Sequence, residues 1–474
     1  MIDSDRVRCA RSGARSRPKQ ACSCAAAGRA ASAIFYISLW LLAHTQTASA
    51  AEVGPGVVIA YERYQLPNGL TVVLSHDARV PRVAVSVWYY VGLRHESITQ
   101  PGVMRLIEQA MFRGSAHVGD GEHLARLERA GATQVGAEVA LDHSRYYETV
   151  SSNYLEMALW LESDRMLSLQ SALSASTLEP LLAARDGGPP LELTRARVSA
   201  AIASAGIGLP AAFAPYLSLK LSEPGEARGA NAKPSTLAAV QSVLAQYYVP
   251  ANASLVLVGD FDPVRVKRSI AKYFGALPRS TSPAPQMLAP ALDTAAQSSV
   301  ETLSTLGPAL ISWRVPSSGA FTPDDAAAHV LAKVLSAGRS SRLYQALVAE
   351  RTLAQSVLAQ QHSAGARSFF VVQAVARPSV SSSQLRAALG DALAGVCANP
   401  FRADEVERAK LAVETELLRG TQTLAGLAQR LQYYVQYAGE PGDLQRDLAQ
   451  YRRLSPESVH SVAKRLLCAV RGPL

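Results

Sequence analysis

The sequence predicts an α+β protein made of two similar halves. Strand-like segments followed by helical segments occur in that order twice along the chain, which indicates an internal structural repeat. A segment rich in Pro, Ser and Ala at residues 276–299 separates the two series and is typical of a linker. The 474 residues, of which 48% are hydrophobic and 18% charged, suffice for a large buried core. We therefore predict one domain at 52–275 and a second at 300–474.

Residues 1–50 have the layout of a secretory signal peptide. Seven basic residues follow two acidic ones and precede the apolar run Ala33–Ala43, which is too short to span a bilayer comfortably. Ala48-Ser49-Ala50 then fits a cleavage site of the A-x-A type. We expect export to the periplasm, with no stable membrane span after cleavage of the signal. The alternative is that the apolar run is retained as an N-terminal membrane anchor.

Charge and cysteine content argue against two classes of function. Of the net charge of +9, residues 1–50 contribute +5, which leaves +4 for the rest of the chain. No dense Lys/Arg run with interleaved aromatic residues follows the leader, so nucleic-acid binding is not expected. Beyond the leader only Cys397 and Cys468 remain. This number excludes a zinc site built on cysteine and allows one disulfide, which the spacing alone does not establish.

The first half begins with a predicted β-hairpin at residues 61–74. Asn68-Gly69 is the strongest short hairpin signal, and strand-like runs flank it. Residues 83–91 predict another strand, whose partial alternation would bury one face. The other predicted elements are helices near 101–114 and 121–131, a strand pair near 133–150, a long helix at 153–166, a strand at 252–263 and a helix that ends at Phe274.

The second half opens with strand-like segments from Val300 and continues with helices. Apolar residues recur there with helical spacing. This periodicity predicts helices at 323–337, 341–351, 382–395, 403–419 and 421–438.

One predicted helix carries a pattern that points to chemistry. The segment 103–115, VMRLIEQAMFRGS, has the spacing of the zinc-peptidase motif H-x-x-E-H with both histidines replaced. Arg105 and Gln109 stand at the ligand positions, and Glu108 stands at the position of the general base. Taken alone, the segment is also compatible with an ordinary amphipathic helix.

Further segments in a fixed order make the sequence similar to the pitrilysin (insulinase) family of zinc peptidases, in the branch that includes mitochondrial processing peptidase. The resemblance extends from Tyr61 to Ala463 and includes LPNGLTVVL, LERAGATQVGAEVALDHSRYYETV, LESDRM, YYVPANASLVLVGDFDP and SAGRSSRLYQALVAERTLAQSV. Members of this family consist of two similar halves, each a mostly antiparallel sheet with helices on one face. The halves form a clamshell around an extended peptide, and the resemblance implies the same fold here.

The resemblance implies zinc in the family, but the residues of this chain do not suit it. A guanidinium has no available lone pair, and an amide oxygen is a poor zinc ligand, so Arg105 and Gln109 do not replace two histidines. The third ligand of relatives would fall at 183–186, where Asp186 is the only carboxylate, with Glu179 slightly outside. We expect no zinc and no other cofactor, an inert Glu108, and an ion pair between Arg105 and Glu108 in place of the metal.

Three other segments depart from the pattern of active relatives. The Asn-Ala-x-Thr segment with which relatives hold substrate on an edge strand corresponds to Gly136–Val139. Their Arg and Tyr, seven residues apart, which steady the oxyanion, correspond to Val348 and Gln355. At the end of the chain, Leu466–Val470 is expected to form a shortened version of the final strand.

Several remaining polar residues are interpreted as structural. Arg351 is almost a full turn away from the arginine position of relatives, which makes it a poor substitute. The three histidines of the first half form no H-x-x-x-H pair. Surface or structural roles are expected for Arg342, Tyr344, His117, His123 at the start of a surface helix, and His143 in a strand.

The resemblance also suggests a function. In several lineages of the family, a zinc-bearing subunit pairs with a metal-free one. We expect this chain to be an exported, non-catalytic subunit that pairs with a zinc-bearing pitrilysin-family subunit and contributes chamber wall and peptide-binding surface. Because Val348 and Gln355 replace the Arg/Tyr pair, two alternatives stay open: a stand-alone peptide-binding or scaffold protein, and a metallopeptidase with an unorthodox site.

Overall fold

The computed structural model describes most of the chain after residue 58. The described residues are 59–95, 102–140, 142–187, 236–279, 299–303, 308–365, 368–440 and 444–468. The predicted signal peptide at 1–50 and most of the predicted linker lie outside these ranges, and the two domain boundaries stay predictions.

Six strands of the first half form one sheet. They are β1 (Glu62–Gln65), β2 (Thr71–His76), β3 (Arg82–Tyr89), β4 (Thr133–Val139), β5 (Ser144–Ser151) and β6 (Ala253–Gly259). Their spatial order is β1-β2-β6-β3-β5-β4. Neighbouring strands are antiparallel except β2 and β6, which are parallel. The predicted hairpin and the strands predicted after it are confirmed.

The β1–β2 hairpin turns at Asn68-Gly69. Gly69 has φ 96°, and a Cβ atom there would lie 2.9 Å from Ala251, so a side chain would be both strained and crowded. The buried Asn68 side chain donates a hydrogen bond to the carbonyl of Phe274 at 2.7 Å. The turn is thereby fixed against the end of the first half.

Helices of the first half cover one face of this sheet. Buried residues on that face include Val72, Val85 and Leu255, which share a hydrophobic core with the helices. The helices are α1 (Val103–Ala110), α2 (Glu122–Arg129), α3 (Leu155–Ala172), α4 (Ala175–Gly187), α5 (Leu237–Tyr247) and α6 (Pro263–Phe274).

The second half contains a four-stranded antiparallel sheet with its own helices. Its strands are β7 (Ser299–Leu303), β8 (Leu310–Ser317), β9 (Ala354–His362) and β10 (Ser368–Ala376), in spatial order β7-β8-β10-β9. Its helices are α7 (Pro323–Ser336), α8 (Ser382–Ala398), α9 (Ala403–Gly420), α10 (Leu424–Tyr437), α11 (Leu444–Arg452) and α12 (Pro456–Ala463). The two series of elements together give the predicted α+β class.

The other face of the first sheet is buried by the second half. Val73, Ala84 and Val256 point to this face and belong to the hydrophobic core of the second half, and α10 lies against β3 and β6. Every residue of β3 after Arg82 is buried, so the prediction that this strand buries one face is wrong. Val57–Leu474 accordingly forms one compact unit.

Two predicted elements near the end of the second half differ from the structure. The predicted helix at 341–351 is π-helical over Tyr344–Glu350. Lys464–Cys468 is also π-helical, so the strand predicted at Leu466–Val470 is wrong in its described part. Leu467 is buried in the core, and a disulfide joins Cys468 to Cys397 of α8 with 6.0 Å between their Cα atoms. These two contacts hold the segment in a helical conformation beside α8.

None of the described helices, in the ranges given above, is at once long and apolar enough to cross a membrane.

Candidate functional site

Helix α1 buries one face in the core and carries Arg105, Glu108 and Gln109 on the other. It begins after Gly102, whose φ of 86° turns the chain into the helix without a side-chain cap. Arg105 and Glu108 are half-buried, and Gln109 is exposed. The residues that attach the helix to the core are Val103, Met104, Leu106, Ile107 and Ala110. Apolar packing therefore holds the helix, and none of its three polar site residues is needed for that packing.

Arg105 and Glu108 form the predicted ion pair. The Arg105 Nη1 atom lies 3.3 Å from Glu108 Oε2, at the spacing i, i+3 on one helix face. Side-chain exposures of 30% and 13% place the pair at the border with solvent. A pair of this kind stabilises a helix by about 0.2–0.5 kcal/mol. The pair places a cationic group on the helix face where the sequence motif predicted the ligand positions.

The donor groups at this site do not suit a zinc ion. Arg105 presents N–H donors only, and Gln109 presents one neutral amide oxygen. Zinc requires imidazole, thiolate or carboxylate ligands, and in the ranges that the structure describes no three His, Cys, Asp or Glu residues are grouped to hold a metal. Glu179 is exposed on α4, and the side chain of Asp186 lies outside the described part. The described side chains at this site therefore do not fit a zinc ion.

Three buried tyrosines, Tyr89, Tyr146 and Tyr248, pack together near Glu108. The ring of Tyr89 contacts those of Tyr146 and Tyr248, with centroids 5.9 Å and 4.5 Å away. Burial, with a smaller contribution from the Glu108 carboxylate, raises the pKa of Tyr248 to about 12. The phenol of Tyr248 is thus neutral near pH 7 and is suited to donate a hydrogen bond, not to act as a base.

A fully buried ion pair on α3 adjoins the tyrosines. Arg165 Nε donates a hydrogen bond to Glu162 Oε2 at 3.0 Å, and Arg165 Nη2 donates to Glu162 Oε1. The guanidinium also lies over the ring of Tyr146, 4.7 Å from its centroid. Burial, followed by the proximity of Glu162, raises the pKa of Glu148 well above its ordinary value. The protonated form of Glu148 is therefore favoured, and the group of Glu148, Glu162 and Arg165 carries no net charge in that form.

The sequence contains one sign of this buried group. Charged residues are almost never fully buried unless they are paired, so LESDRM by itself suggests an exposed helix surface. Glu162 and Arg165 are nevertheless spaced i, i+3, as in the Arg105–Glu108 pair. That spacing, next to the apolar residues of α3, is the signal in the sequence that points to a buried pair.

Two of the three histidines lie near α2 and α3. His117 is exposed, and its Nδ1 atom lies 2.6 Å from Asp164 Oδ1. His123 is buried against the edge of Phe112, and burial lowers the pKa of its imidazole to about 2. Of the surface and structural roles expected for His123, the structure shows the structural one, because His123 and Leu127 form the buried side of α2.

His143 belongs to a contact between the two halves. It lies in the turn before β5 and not in a strand, so that prediction is also wrong. Its ring stacks on Trp88 with centroids 3.9 Å apart, and its Nδ1 atom lies 3.2 Å from Asp142 Oδ1. From the second half, the Tyr437 hydroxyl and the Gly365 N–H donate hydrogen bonds to Asp142. Burial alone would raise the pKa of Asp142, but the contact with His143, followed by the hydrogen bonds from Tyr437 and Gly365, holds this pKa at about 2.

Strand β4, which contains Gly136–Val139, is the outer strand of the first sheet. Among the described strands it pairs only with β5, so its other edge presents backbone groups outside the sheet. The register shifts between Thr133 and Gly136, and Gln134 has φ 54°, which marks a bulge. Glu138 forms an ion pair with Arg145 of β5. The departure from the substrate-holding segment of relatives thus lies on an edge strand.

In the second half, the residues that correspond to the Arg/Tyr pair of relatives have structural roles. Val348 is buried, and Gln355 Nε2 donates a hydrogen bond to a backbone carbonyl of β10 at 3.0 Å. Arg351 forms an exposed ion pair. Arg342 Nη2 lies 2.9 Å from Glu405 Oε2, which confirms that this arginine contributes to helix packing.

Comparisons with known proteins agree with this architecture. Residues 71–185 match the family model described as Insulinase (Peptidase family M16), and residues 235–413 match the model described as Peptidase M16 inactive domain. A protein of Mycobacterium tuberculosis named as an uncharacterized zinc protease is 26% identical over 435 residues, which cover 88% of this chain and 94% of that protein.

Solved structures show the same fold. A protease from Helicobacter pylori superimposes with a TM-score of 0.69 at 19% identity, over 86% of this chain and 97% of the other. The periplasmic protease PqqL from Escherichia coli has a TM-score of 0.58 at 16% identity, over 86% of this chain and 47% of PqqL. With both halves matched by models of one family and the fold shared, this chain belongs to the pitrilysin (insulinase) family, peptidase family M16.

Proposed function

We propose that the mature chain is an exported, non-catalytic subunit that pairs with a zinc-bearing member of its family and helps to form a peptide-binding chamber. The observation that carries this proposal is the face of α1 on which Arg105 and Gln109 stand at the ligand positions. Arg105 pairs with Glu108 there, so the carboxylate that would activate a metal-bound water is engaged by a cation of the chain itself.

The edge strand β4 supports a role in peptide binding. An unpaired strand edge accepts an extended peptide through backbone hydrogen bonds, which give affinity without any catalytic group. Bound in this way, a peptide would run past α1 without meeting a metal. The chain would then contribute wall and binding surface, and the partner would contribute the chemistry.

Two features support export. The leader at 1–50 has the layout of a signal peptide. The Cys397–Cys468 disulfide is of the kind that forms and persists in oxidising compartments such as the periplasm. The similar fold of PqqL, which is described as periplasmic, is in line with the same location. A retained N-terminal anchor would leave the body of the chain in the same compartment.

A second candidate is a stand-alone peptide-binding or scaffold protein. Val348 and Gln355 favour it, because a subunit that assists a zinc-bearing partner by donating an Arg and a Tyr would need them there. In this structure the first side chain is buried and the second is bound to its own sheet. A metallopeptidase with an unorthodox site is the third candidate, and zinc content addresses it.

The test is a pull-down of the tagged mature chain, from Ala51, out of its native envelope. Mass spectrometry would identify co-purified chains, elemental analysis would measure zinc, and a peptide-hydrolysis assay would measure activity of the eluate. Co-elution of a relative with an intact H-x-x-E-H motif, with more activity than that relative alone, supports the subunit role. Recovery of a lone, inactive chain favours the stand-alone role, and one tightly held zinc per lone chain contradicts both.

A further inference from the structure

Tyr147 reaches across the outer strand of the first sheet. It belongs to β5 and pairs directly with Gly136 of β4, so the two residues point to the same face of the sheet. A Cβ atom on Gly136 would lie 2.7 Å from the Tyr147 hydroxyl oxygen and 2.9 Å from the ring carbon that bears it. The end of the phenol ring therefore lies over Gly136, in the space where another residue would have its side chain.

An ion pair beside Gly136 belongs to the same face. Arg145 Nε donates a hydrogen bond to Glu138 Oε2 at 2.8 Å. The Arg145 guanidinium also lies over the Tyr147 ring, 4.8 Å from its centroid, and supports the ring from one side. Tyr147 and Glu138 are half-buried. Because the charges of Arg145 and Glu138 compensate each other, this face does not select a charged side chain from a ligand.

A strand added to the open edge of β4 would meet the Tyr147 phenol. Directly opposed residues of antiparallel strands have Cβ atoms about 4.5–5.5 Å apart. The residue opposite Gly136 would find no side chain on Gly136 itself, but the hydroxyl end of Tyr147 in the same place. Tyr147 therefore supplies the cross-strand neighbour that Gly136 lacks.

We propose that β4 binds an extended peptide segment that places an aromatic side chain opposite Gly136, against the phenol of Tyr147. This inference rests on the peptide-binding role proposed above and gives that role a sequence preference. Aromatic pairs with ring centroids about 4.5–7 Å apart are favoured beyond the area that they bury, whereas a Ser or Thr in the same place gains only one solvent-exposed hydrogen bond. Tyr147 is accordingly a specificity-determining residue.

Fluorescence polarisation with the mature chain and two labelled peptides tests the proposal. The peptides have the sequences KTVFVTK and KTVAVTK, each with fluorescein at the N-terminus and an amide at the C-terminus. Both have the alternation of an extended strand and differ only in the central side chain. We expect the phenylalanine peptide to bind about three- to tenfold more tightly, which is the range that an aromatic contact provides.

Two variants alter the aromatic contact by different routes. Tyr147→Thr removes the ring and keeps a residue type that favours strands. Gly136→Ala adds the Cβ atom that would displace the end of the ring. Both variants should bind the two peptides about equally, because the edge of β4 keeps its backbone groups.

Tyr64→Thr is the matched control. Tyr64 is a half-buried strand tyrosine on β1, at the opposite edge of the same sheet, so this variant should keep the preference for the phenylalanine peptide. Circular dichroism would verify folding of all three variants.

Three results would overturn the proposal. Equal binding of the two peptides by the wild-type chain would mean that the edge takes peptides without this preference, and the peptide-binding role would stand. A preference that Tyr147→Thr retains would place the aromatic side chain elsewhere, and Gly136→Ala decides in the same way if Tyr147→Thr does not fold. Binding of neither peptide at millimolar concentration would remove the peptide-binding role as well, whereas pairing with a zinc-bearing subunit would still be decided by the pull-down.

Discussion

The hydroxyl of Tyr437 donates a hydrogen bond to the carboxylate of Asp142, although 295 positions separate the two residues in the chain. Asp142 lies in the turn between β4 and β5, and Tyr437 is the last residue of α10. The Gly365 N–H donates to the same carboxylate at 3.1 Å. One buried carboxylate therefore joins the edge of the first sheet to two segments of the second half, and the stability of this contact depends on its charge.

We predict that Asp142→Asn lowers the free energy of unfolding by about 2 kcal/mol at pH 7. The pKa of Asp142 is about 2 in the folded chain and starts from an ordinary value of 3.8. Because the folded pKa is the lower one, ionised Asp142 stabilises the fold above about pH 4, and this contribution is lost as the pH falls toward 2. Urea unfolding at pH 7 and pH 3 would measure the difference between variant and wild type, which should be smaller at pH 3.

Asp391→Asn is the control. The Asp391 side chain is 67% exposed in its ion pair with Arg351, so its loss should cost less than about 1 kcal/mol. Equal losses in the two variants would contradict the prediction.

The double variant Arg105→His/Gln109→His should gain zinc binding. It places two imidazoles at i and i+4 on the outer face of α1, with Glu179 or Asp186 as candidate third ligand. We expect the wild-type chain and both single variants to hold almost no zinc after dialysis, and the double variant to hold a substantial fraction of one ion per chain. Elemental analysis measures this content. Because the core face of α1 is unchanged, the free energy of unfolding without metal should change by no more than about 0.5 kcal/mol. Tightly bound zinc in the wild-type chain would refute the argument from ligand chemistry.

Glu148→Gln should stabilise the chain, and more so at higher pH. The folded pKa of Glu148 is raised by burial, so the acid is most stabilising below its unfolded pKa and loses that contribution as the pH rises toward its folded pKa. Glutamine has similar shape and cannot ionise, so it avoids this loss. Thermal unfolding at pH 5 and pH 8 would show the difference, with the larger gain at pH 8. Glu128→Gln, at an exposed position of α2, is the control and should change little at either pH. A gain that is the same at both pH values would show that ionisation of Glu148 is not the cause.

The double variant Cys397→Ser/Cys468→Ser should lower the free energy of unfolding by about 2–4 kcal/mol. The cross-link spans 71 positions of the chain, so its loss adds many conformations to the unfolded state. Urea unfolding of the double variant measures the loss. Wild-type chain treated with a reductant should match the untreated double variant, and the double variant should not respond to the reductant. A wild-type chain that is insensitive to reduction would mean that the bond contributes little.

The parts of the structure that could be predicted from the sequence depend on neighbours in the chain. Asn68-Gly69 specifies its hairpin through local backbone geometry, and the spacing of Arg105 and Glu108 brings their side chains together on any helix. The absence of zinc ligands likewise follows from residue types at known helical positions. Each of these predictions needed only a few consecutive residues and their chemistry.

The parts that could not be predicted depend on residues far apart. His123 is buried beside Glu162 of α3, which lies 39 positions later in the chain. The two-sided burial of β3 is set by α10, more than 300 residues later. The full burial of the Arg165–Glu162 ion pair likewise depends on β3 and β5, which pack against α3. Periodicity reports the presence of an apolar surface but not which distant segment covers it.

The two-sided burial of the first sheet has a consequence for the chain when it is cut. A fragment that ends near residue 275 would present Val73, Ala84, Val256 and Val258 to water, on a sheet face with no helix of its own. We expect such a fragment to aggregate when produced alone. A single proteolytic cut between residues 280 and 298 should instead leave two pieces that co-migrate without a covalent bond, because the contact with α10 and the hydrogen bonds to Asp142 persist. The continuity of the backbone there is less important to the fold than the continuity of the core.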